Sequence, residues 1–154
     1  MTSTGEPRDD SEPYKPADGI PAFEARLARH RRSATVARSH LRDFLRKIPG
    51  GTALMGDGQL VLGELVANAV VHARVSPGRE IAVRFEMAGD RLRIEVHDAS
   101  GEKPAIRCVA DLNDVSGRGL HLVETLSLEW GFEPRPGGIG KIVWALVGPE
   151  GGGE

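Results

Sequence analysis

The chain has 154 residues, a length that suits one domain with its own hydrophobic core. Its 20 Lys and Arg residues nearly balance its 22 Asp and Glu residues, so the overall charge favours neither nucleic acid nor a membrane surface as a partner. The sequence has no apolar run of the roughly 18 residues that a membrane helix needs and no pattern typical of a signal peptide, so we expect a cytoplasmic protein. Its single cysteine, Cys108, excludes an internal disulfide.

Both ends of the chain lack residues that a core could bury. Residues 1–20 are rich in Pro, Asp, Glu and Ser, and residues 148–154 are mostly Gly and Glu. Segments of this composition bury too little apolar surface to offset the entropy lost on ordering, so both are predicted to be disordered tails. The predicted folded domain spans residues 21–147.

The first half of this domain predicts one strand followed by two helices. The alternation of apolar and polar residues in FEARL predicts a strand at about 22–28. Ser33 is expected to cap a first helix, which Pro49 and the following glycines end. A second helix is expected at about 58–74, with Asp57 as its N-cap. The apolar positions of the first helix, at helical spacing, are Ala37, Leu41, Phe44, Leu45 and Ile48.

The second half predicts a β-hairpin, a long loop, a short helix and two more strands. Residues 80–98 alternate on both sides of a tight Ala-Gly-Asp turn. Residues 99–116 show no period, and a loop this long in a compact domain is usually functional. GRGLHLVETLS predicts a short helix, and LEWGFE and KIVWALV predict strands joined by the turn-rich PRPGGIG. This order indicates a two-layer α/β sandwich, with helices on one face of a mixed, mostly antiparallel sheet.

Three polar residues interrupt the apolar second helix at a spacing of four: Glu64, Asn68 and His72. Four residues advance a helix by about 400°, so the three side chains form a line on one face, about 12 Å long. Burying an unpaired carboxylate costs several kcal/mol, so this face is expected to meet solvent, a partner or a ligand. A cleft with a bound cation would provide partners for these polar side chains, because Mg²⁺ is commonly held by one or two side-chain oxygens together with phosphates and water.

Two further motifs lie where a ligand could bind. Asp98 ends a strand and is expected to be able to accept hydrogen bonds from an exocyclic amine such as that of adenine. Taken alone, an Asp at this position is more often a simple turn former. In SGRGL, Gly117 and Gly119 would let backbone amides approach a phosphate at a helix N-terminus. An ordinary glycine-rich turn is the alternative interpretation.

Taken in order, these motifs resemble those of the histidine-kinase-like ATPases: ELVANAVVH on a helix, Asp98 closing a hairpin, a loop, GRGL at a helix start and then GGIGKIVW. That fold is shared by sensor kinases, gyrase-type topoisomerases and a chaperone family. The short single-domain form and the phrase GRGLHLVETLSLEWGF are most similar to the bacterial anti-sigma-factor serine/threonine kinases of partner-switching systems. The resemblance extends from about Phe23 to Val147.

The resemblance implies ATP and Mg²⁺ as cofactors and a role for each motif. It implies that Glu64 is the general base toward an attacking hydroxyl and that Asn68 coordinates Mg²⁺. It assigns Asp98 to the amino group of adenine. His72 is expected to support the nucleotide site rather than to take part in catalysis. The other expected nucleotide-binding residues are Ser100 and Gly101, together with Gly117, Arg118, Gly119 and Leu120 as lid hinge and phosphate cradle.

Two departures from the family pattern concern the nucleotide. The usual D-x-G-x-G is DASGE here, so Ser100 and Glu102 replace the two glycines. If Glu102 points inward, its charge would lie near the phosphates and weaken ATP binding. In the last strand, Lys141 and Ile142 occupy the region where the family often has a hydroxyl residue near the adenine.

The resemblance implies an enzyme that phosphorylates a serine or threonine on an anti-sigma antagonist protein and sequesters a sigma factor. It also implies a homodimer. The alternative is a non-catalytic module that retains the fold and regulates a partner by capture, which the altered DASGE motif favours.

A basic segment raises a third hypothesis, nucleic-acid binding. Residues 26–47 contain eight Arg or Lys and one acidic residue, so the rest of the chain is strongly acidic. The protein is therefore dipolar rather than basic, and we expect this segment to dock an acidic protein partner, with no direct contact to nucleic acid or membrane. A sensor histidine kinase fragment is disfavoured, because His30 and His40 lie within the basic segment and not on a preceding dimerisation helix.

Overall fold

A computed structural model describes residues 19–72, 80–98, 117–134 and 140–149. Within these ranges five strands form one sheet with helices packed on one of its faces, and every neighbouring strand pair is antiparallel. The predicted fold class is confirmed. The strands are β1 (Ala22–Ala28), β2 (Glu80–Ala88), β3 (Arg91–Asp98), β4 (Glu129–Pro134) and β5 (Lys141–Val147), in the order β1-β2-β3-β5-β4, and the helices are α1 (Ser33–Arg46), α2 (Met55–His72) and α3 (Gly117–Leu126).

The central strands show how the sequence covers one face of the sheet. Side chains alternate between the two faces of a strand, and the register pairs apolar residues with apolar residues on the inner face. Phe85 of β2 lies opposite Ile94 of β3, which in turn lies opposite Ala145 of β5, and all three are fully buried. The same face continues with Val83, Val96, Leu92, Val143 and Val147, which are also buried.

The helices cover this inner face with their apolar sides. α2 packs against α1 and α3 and lies across β3 and β5. The buried apolar residues of α1 and α2 form one hydrophobic core with those of the sheet. This core lies between the helix layer and the sheet. No helix in the described ranges is both long and apolar enough to span a membrane. The helical core residues include Ala37, Leu41 and Leu45 of α1 and Val61, Leu62, Leu65 and Val66 of α2.

The two predicted helix caps are wrong. α1 begins at Ser33 itself, and the buried Ser33 hydroxyl donates a hydrogen bond back to the carbonyl oxygen of Ala28 at the end of β1. Ser33 therefore ties the helix to the strand instead of capping the helix. α2 begins at Met55, because a 3₁₀ turn at Gly51–Leu54 continues directly into it. Asp57 consequently lies inside the first turn, where its negative charge suits the helix dipole.

The predicted strand positions are confirmed for β1, for the hairpin at 80–98 and for β5. The predicted helix at GRGLHLVETLS is confirmed as α3. The predicted loop at 99–116 and most of the two predicted tails lie outside the described residues. The domain boundaries at 21 and 147 remain predictions.

Candidate functional site

The first turns of α2 lie over the beginning of β3. A Cβ added to Gly58 would lie 3.2 Å from the Leu92 side chain. α2 ends at His72, and the sheet resumes with β2 at Glu80, next to Ile81, which pairs with Asp98 at the end of β3. The helix that carries Glu64 and Asn68 and the strand that ends at Asp98 therefore pack against each other.

Glu64 and Asn68 lie one helical turn apart on α2 but differ in burial. Glu64 is partly exposed, whereas Asn68 is only 5% exposed. Among the described residues, the buried Nδ2 of Asn68 has no hydrogen-bond partner. Folded proteins seldom leave such a donor unsatisfied, since this costs about 1–3 kcal/mol. Within the described ranges, the Asn68 amide is therefore a candidate position for a hydrogen bond to a ligand.

Asn68 also has the chemistry of a magnesium ligand. The described residues contain no group of three or more His, Cys, Asp or Glu side chains that could hold a metal ion. Mg²⁺ bound together with phosphates needs only one or two protein oxygens, with water completing its shell. The Asn68 amide oxygen fits that requirement, and the unpartnered nitrogen beside it would be left to donate to a phosphate or water.

Asp98 forms a buried ion pair with Lys141. The Lys141 Nζ donates to Asp98 Oδ2 at 3.2 Å, and the side chains are 8% and 2% exposed respectively. The β3–β5 register places the two residues directly opposite each other, on the face that the helices cover. The attraction between two opposite charges in hydrogen-bond contact offsets part of the desolvation cost that each would carry if it were buried alone. Lys141 was noted in the sequence only as a departure from the family pattern, and its contact with Asp98 follows from the strand register.

The glycine-rich motif lies at the start of a helix that packs against α2. The first turn of α3 consists of Gly117, Arg118, Gly119 and Leu120, so the predicted helix start is confirmed. The role of this turn as a phosphate cradle stays a prediction. His72 is the last residue of α2. Ser100, Gly101 and Glu102 lie outside the described residues. Of the elements that carry the predicted site, β3 and α3 both contact α2, and the assembly of the site residues stays a prediction.

Sequence analysis missed a cation beside the turn of α2 that carries Glu64. A Cβ added to Gly63 would lie 2.6 Å from Arg38 Nη1, so the guanidinium of Arg38 rests on α2 one residue before Glu64. The only available signal was a glycine inside an otherwise good helix, which often indicates close approach by another group.

A second charged cluster lies on the opposite face of the sheet, around Glu95. Arg93 Nε donates to its carboxylate at 2.8 Å, His97 Nε2 lies 2.8 Å away, and Arg84 Nη1 is at 3.7 Å. Burial alone would raise the pKa of Glu95, but hydrogen bonds from His97 and Arg93 and their positive charge outweigh it and lower the pKa to about 2. Arg93 also lies over the Trp144 ring at 4.6 Å. This cluster contributes to stability and lies away from the candidate site.

A groove of about 470 Å³ lies at the β1 edge of the sheet, between β1 and α1. It contains none of the predicted nucleotide-site residues. Its walls are aromatic and apolar, from Phe23, Phe44 and Ile48, and its rim carries His40, Asp43 and Lys47 from the basic segment. The groove is therefore a feature of the expected docking face and not of the cleft beside α2.

Comparison with known proteins agrees with this geometry. Curated proteins give no match to the chain. The family model described as the histidine kinase-like ATPase domain matches residues 25–145, a range that includes every predicted site residue and most of the chain. The chain therefore belongs to the histidine kinase-like ATPase family.

Proposed function

We propose that the chain is an Mg-ATP-dependent protein kinase of the anti-sigma type. It phosphorylates a serine or threonine of an antagonist protein and sequesters a sigma factor in the cytoplasm. Membership of the ATPase family supports the use of ATP. The observation that carries the proposal is the polar face of α2, where partly exposed Glu64 lies one turn from buried Asn68 and its unpartnered amide nitrogen.

Each residue of the cleft has a role that its position allows. Glu64, being partly exposed, can be reached by a hydroxyl of a protein substrate and accepts its proton. The amide of Asn68 would hold Mg²⁺ and contact the phosphates. Asp98 accepts a hydrogen bond from the adenine amino group. The first turn of α3 donates backbone amides to phosphate oxygens. When bound, Mg²⁺ would neutralise charge on the phosphates during transfer.

The face that would dock a partner is basic and accessible. Arg31, Arg32, Arg46 and Lys47 are exposed on or beside α1, next to the groove between β1 and α1. An acidic protein surface would be attracted to this face, and the attraction would weaken with added salt. A protein partner is favoured over nucleic acid because the chain as a whole is slightly acidic.

The test is phosphate transfer from radiolabelled Mg-ATP to each small antagonist-type protein encoded in the source genome. We expect label on a serine or threonine of one of them. Glu64→Gln should retain ADP binding and lose about 100-fold or more of the transfer rate, because general base catalysis contributes about 10²–10⁴-fold. Glu80→Gln, an exposed glutamate of β2, is the matched control and should transfer at the wild-type rate. Absence of label on every candidate would reject the kinase, and full transfer by Glu64→Gln would reject Glu64 as the base.

A second candidate is a module that captures its partner without catalysis. One observation favours it: Lys141 already neutralises Asp98, so this carboxylate does not need a nucleotide to balance its charge. Calorimetric titration with Mg-ADP and Mg-ATP separates the two candidates. Absence of heat with both nucleotides would reject catalysis and nucleotide sensing together and leave capture as the function.

A further inference from the structure

We propose that Lys141 is a specificity-determining residue of the nucleotide site. Its ammonium donates a hydrogen bond to N1 of adenine while Asp98 accepts one from the 6-amino group. This inference rests on the proposed binding of ATP and adds a direct protein contact to a second position on the base.

The first argument is the hydrogen-bonding capacity of the buried ammonium. A lysine ammonium has three donors. In the described part of the chain, Lys141 uses its ammonium for one hydrogen bond, to Asp98, although the side chain is only 8% exposed. Two donors are therefore left in a place that bulk water hardly reaches, and an acceptor from a ligand would satisfy one of them.

The second argument is the spacing of the pair. The ammonium nitrogen and the carboxylate oxygen lie 3.2 Å apart, side by side at the end of two neighbouring strands. Two adjacent polar atoms on the edge of a base need a donor and an acceptor separated by about one hydrogen-bond length, near 3 Å. Adenine presents such a pair, the 6-amino donor beside the N1 acceptor, so Asp98 and Lys141 complement both atoms at once.

The third argument is the effect on the competing base. Guanine carries an acceptor at position 6 and a donor at N1, the reverse of adenine. A guanine in the same orientation would set its O6 against the Asp98 carboxylate and its N1 hydrogen against the Lys141 ammonium. A guanine that is turned over would donate its N1 hydrogen to Asp98 and accept from Lys141 at O6, so the pair rejects guanine only in the orientation that the rest of the nucleotide imposes on the base.

Stability alone does not account for the pair. Replacing a buried ion pair by well-packed apolar residues is often neutral or stabilising. The residues next along the inner face of both strands, Val96 and Val143, show that apolar packing is available there. A buried charged pair at this end of the sheet is therefore better explained by recognition than by packing.

The test uses calorimetric titration of the wild-type chain with three nucleotides. ADP, 1-deaza-ADP, in which N1 is replaced by C–H, and GDP are each titrated in the presence of Mg²⁺. We expect 1-deaza-ADP to bind about 10-fold or more weakly than ADP, since a hydrogen bond from a charged donor is lost. GDP should bind more weakly still. Equal affinity for ADP and 1-deaza-ADP, or for ADP and GDP, would overturn the role of Lys141.

A variant assigns the effect to this side chain. Lys141→Met keeps the length of the side chain and removes the donors, so it should bind ADP and 1-deaza-ADP equally. Lys47→Met, an exposed lysine beside α1, is the matched control and should retain the wild-type preference for ADP. A preference for ADP that persists in Lys141→Met would also overturn the assignment. If Lys141→Met does not fold, the comparison of ligands on the wild-type chain still decides the question.

The outcomes separate this inference from the function on which it rests. If ADP and 1-deaza-ADP bind equally well, the proposed role of Lys141 is rejected and the proposed kinase function is unaffected. No binding of ADP at all rejects the nucleotide-dependent function, and the role of Lys141 with it.

Discussion

Replacing Asn68 by leucine should make the nucleotide-free protein more stable and, at the same time, insensitive to nucleotide. Asn68 is 5% exposed and its Nδ2 has no partner among the described residues. Leucine has a similar shape, lacks the polar atoms and has a higher helix propensity. If the amide serves to bind the nucleotide, its removal should increase stability and abolish nucleotide binding, a combination that is common at binding sites.

The size of the effect follows from the burial of the amide. An unsatisfied buried polar group costs about 1–3 kcal/mol, so Asn68→Leu should raise the free energy of unfolding by a similar amount. Mg-ADP at about 100 times its dissociation constant should stabilise the wild type by about 3 kcal/mol. The same nucleotide should leave Asn68→Leu nearly unchanged, because a binding group has been lost.

The assay is urea unfolding of both proteins with and without Mg-ADP. Gln59→Leu is the matched control on the same helix. The Gln59 amide is satisfied, since it accepts from Arg42 at 2.9 Å and donates to the Met55 carbonyl oxygen at 3.2 Å. Gln59→Leu should therefore lose stability and still respond to nucleotide.

Two results would refute the reasoning. A nucleotide-free Asn68→Leu protein that is less stable than the wild type would show that the amide is satisfied in the folded chain. A variant that gains as much from Mg-ADP as the wild type does would show that Asn68 takes no part in nucleotide binding.

Two further predictions concern stability away from the cleft. The pKa of Glu95 falls from 4.5 to about 2 on folding, so its ionised form stabilises the protein by about 3 kcal/mol above pH 4.5. This contribution is lost as the pH falls from about 4.5 toward 2. Glu95→Gln should therefore lower the free energy of unfolding at pH 7 and flatten its decline across that interval in urea titrations, whereas a decline parallel to the wild type would contradict the prediction. The control for Glu95→Gln is Asp43→Asn, which should change stability little because Asp43 and its partner Arg46 are both largely exposed. A Cβ at Gly51 would lie 2.2 Å from the Leu45 carbonyl oxygen, a backbone atom, so Gly51→Ala should lower stability by about 3 kcal/mol, and a thermal midpoint equal to the wild type would show that the turn can move.

The sheet could be predicted from the sequence because its signals are local. In the hairpin, apolar residues alternate strictly from Ile81 to Met87 and again from Leu92 to Val96, and a short Gly-containing turn separates the two runs. Such a pattern defines both the strands and the face that is buried. The family resemblance rested on motifs of the same kind, short segments whose residues are close in sequence.

The helix starts were predicted less accurately than the strands, because they depend on contacts beyond the helix. Ser33 has the composition of a cap, yet its hydroxyl finds the carbonyl of Ala28 in the preceding strand. Asp57 likewise resembles a cap, but the 3₁₀ turn before Met55 extends the helix past it. In both places tertiary geometry overrides the local preference of the residue.

The charged contacts between strands, in the candidate site and on the opposite face of the sheet, could not be predicted from the sequence. Asp98 and Lys141 are separated by 43 residues, and their contact follows only from the register between β3 and β5. The contact of Arg84 with Glu95 depends in the same way on the register between β2 and β3. Sequence analysis identified Asp98 as a candidate, but the register supplied its partner and with it the proposal on base specificity.

The position of the nucleotide site can be measured directly by nuclear magnetic resonance of the isotope-labelled chain titrated with Mg-ADP. The side-chain NH₂ signals of Asn68 should shift, together with the backbone amides of Asp98, Lys141 and the first turn of α3. The amides that line the groove between β1 and α1 should stay in place. Shifts confined to that groove, or no shifts at saturating Mg-ADP, would contradict a nucleotide cleft beside α2.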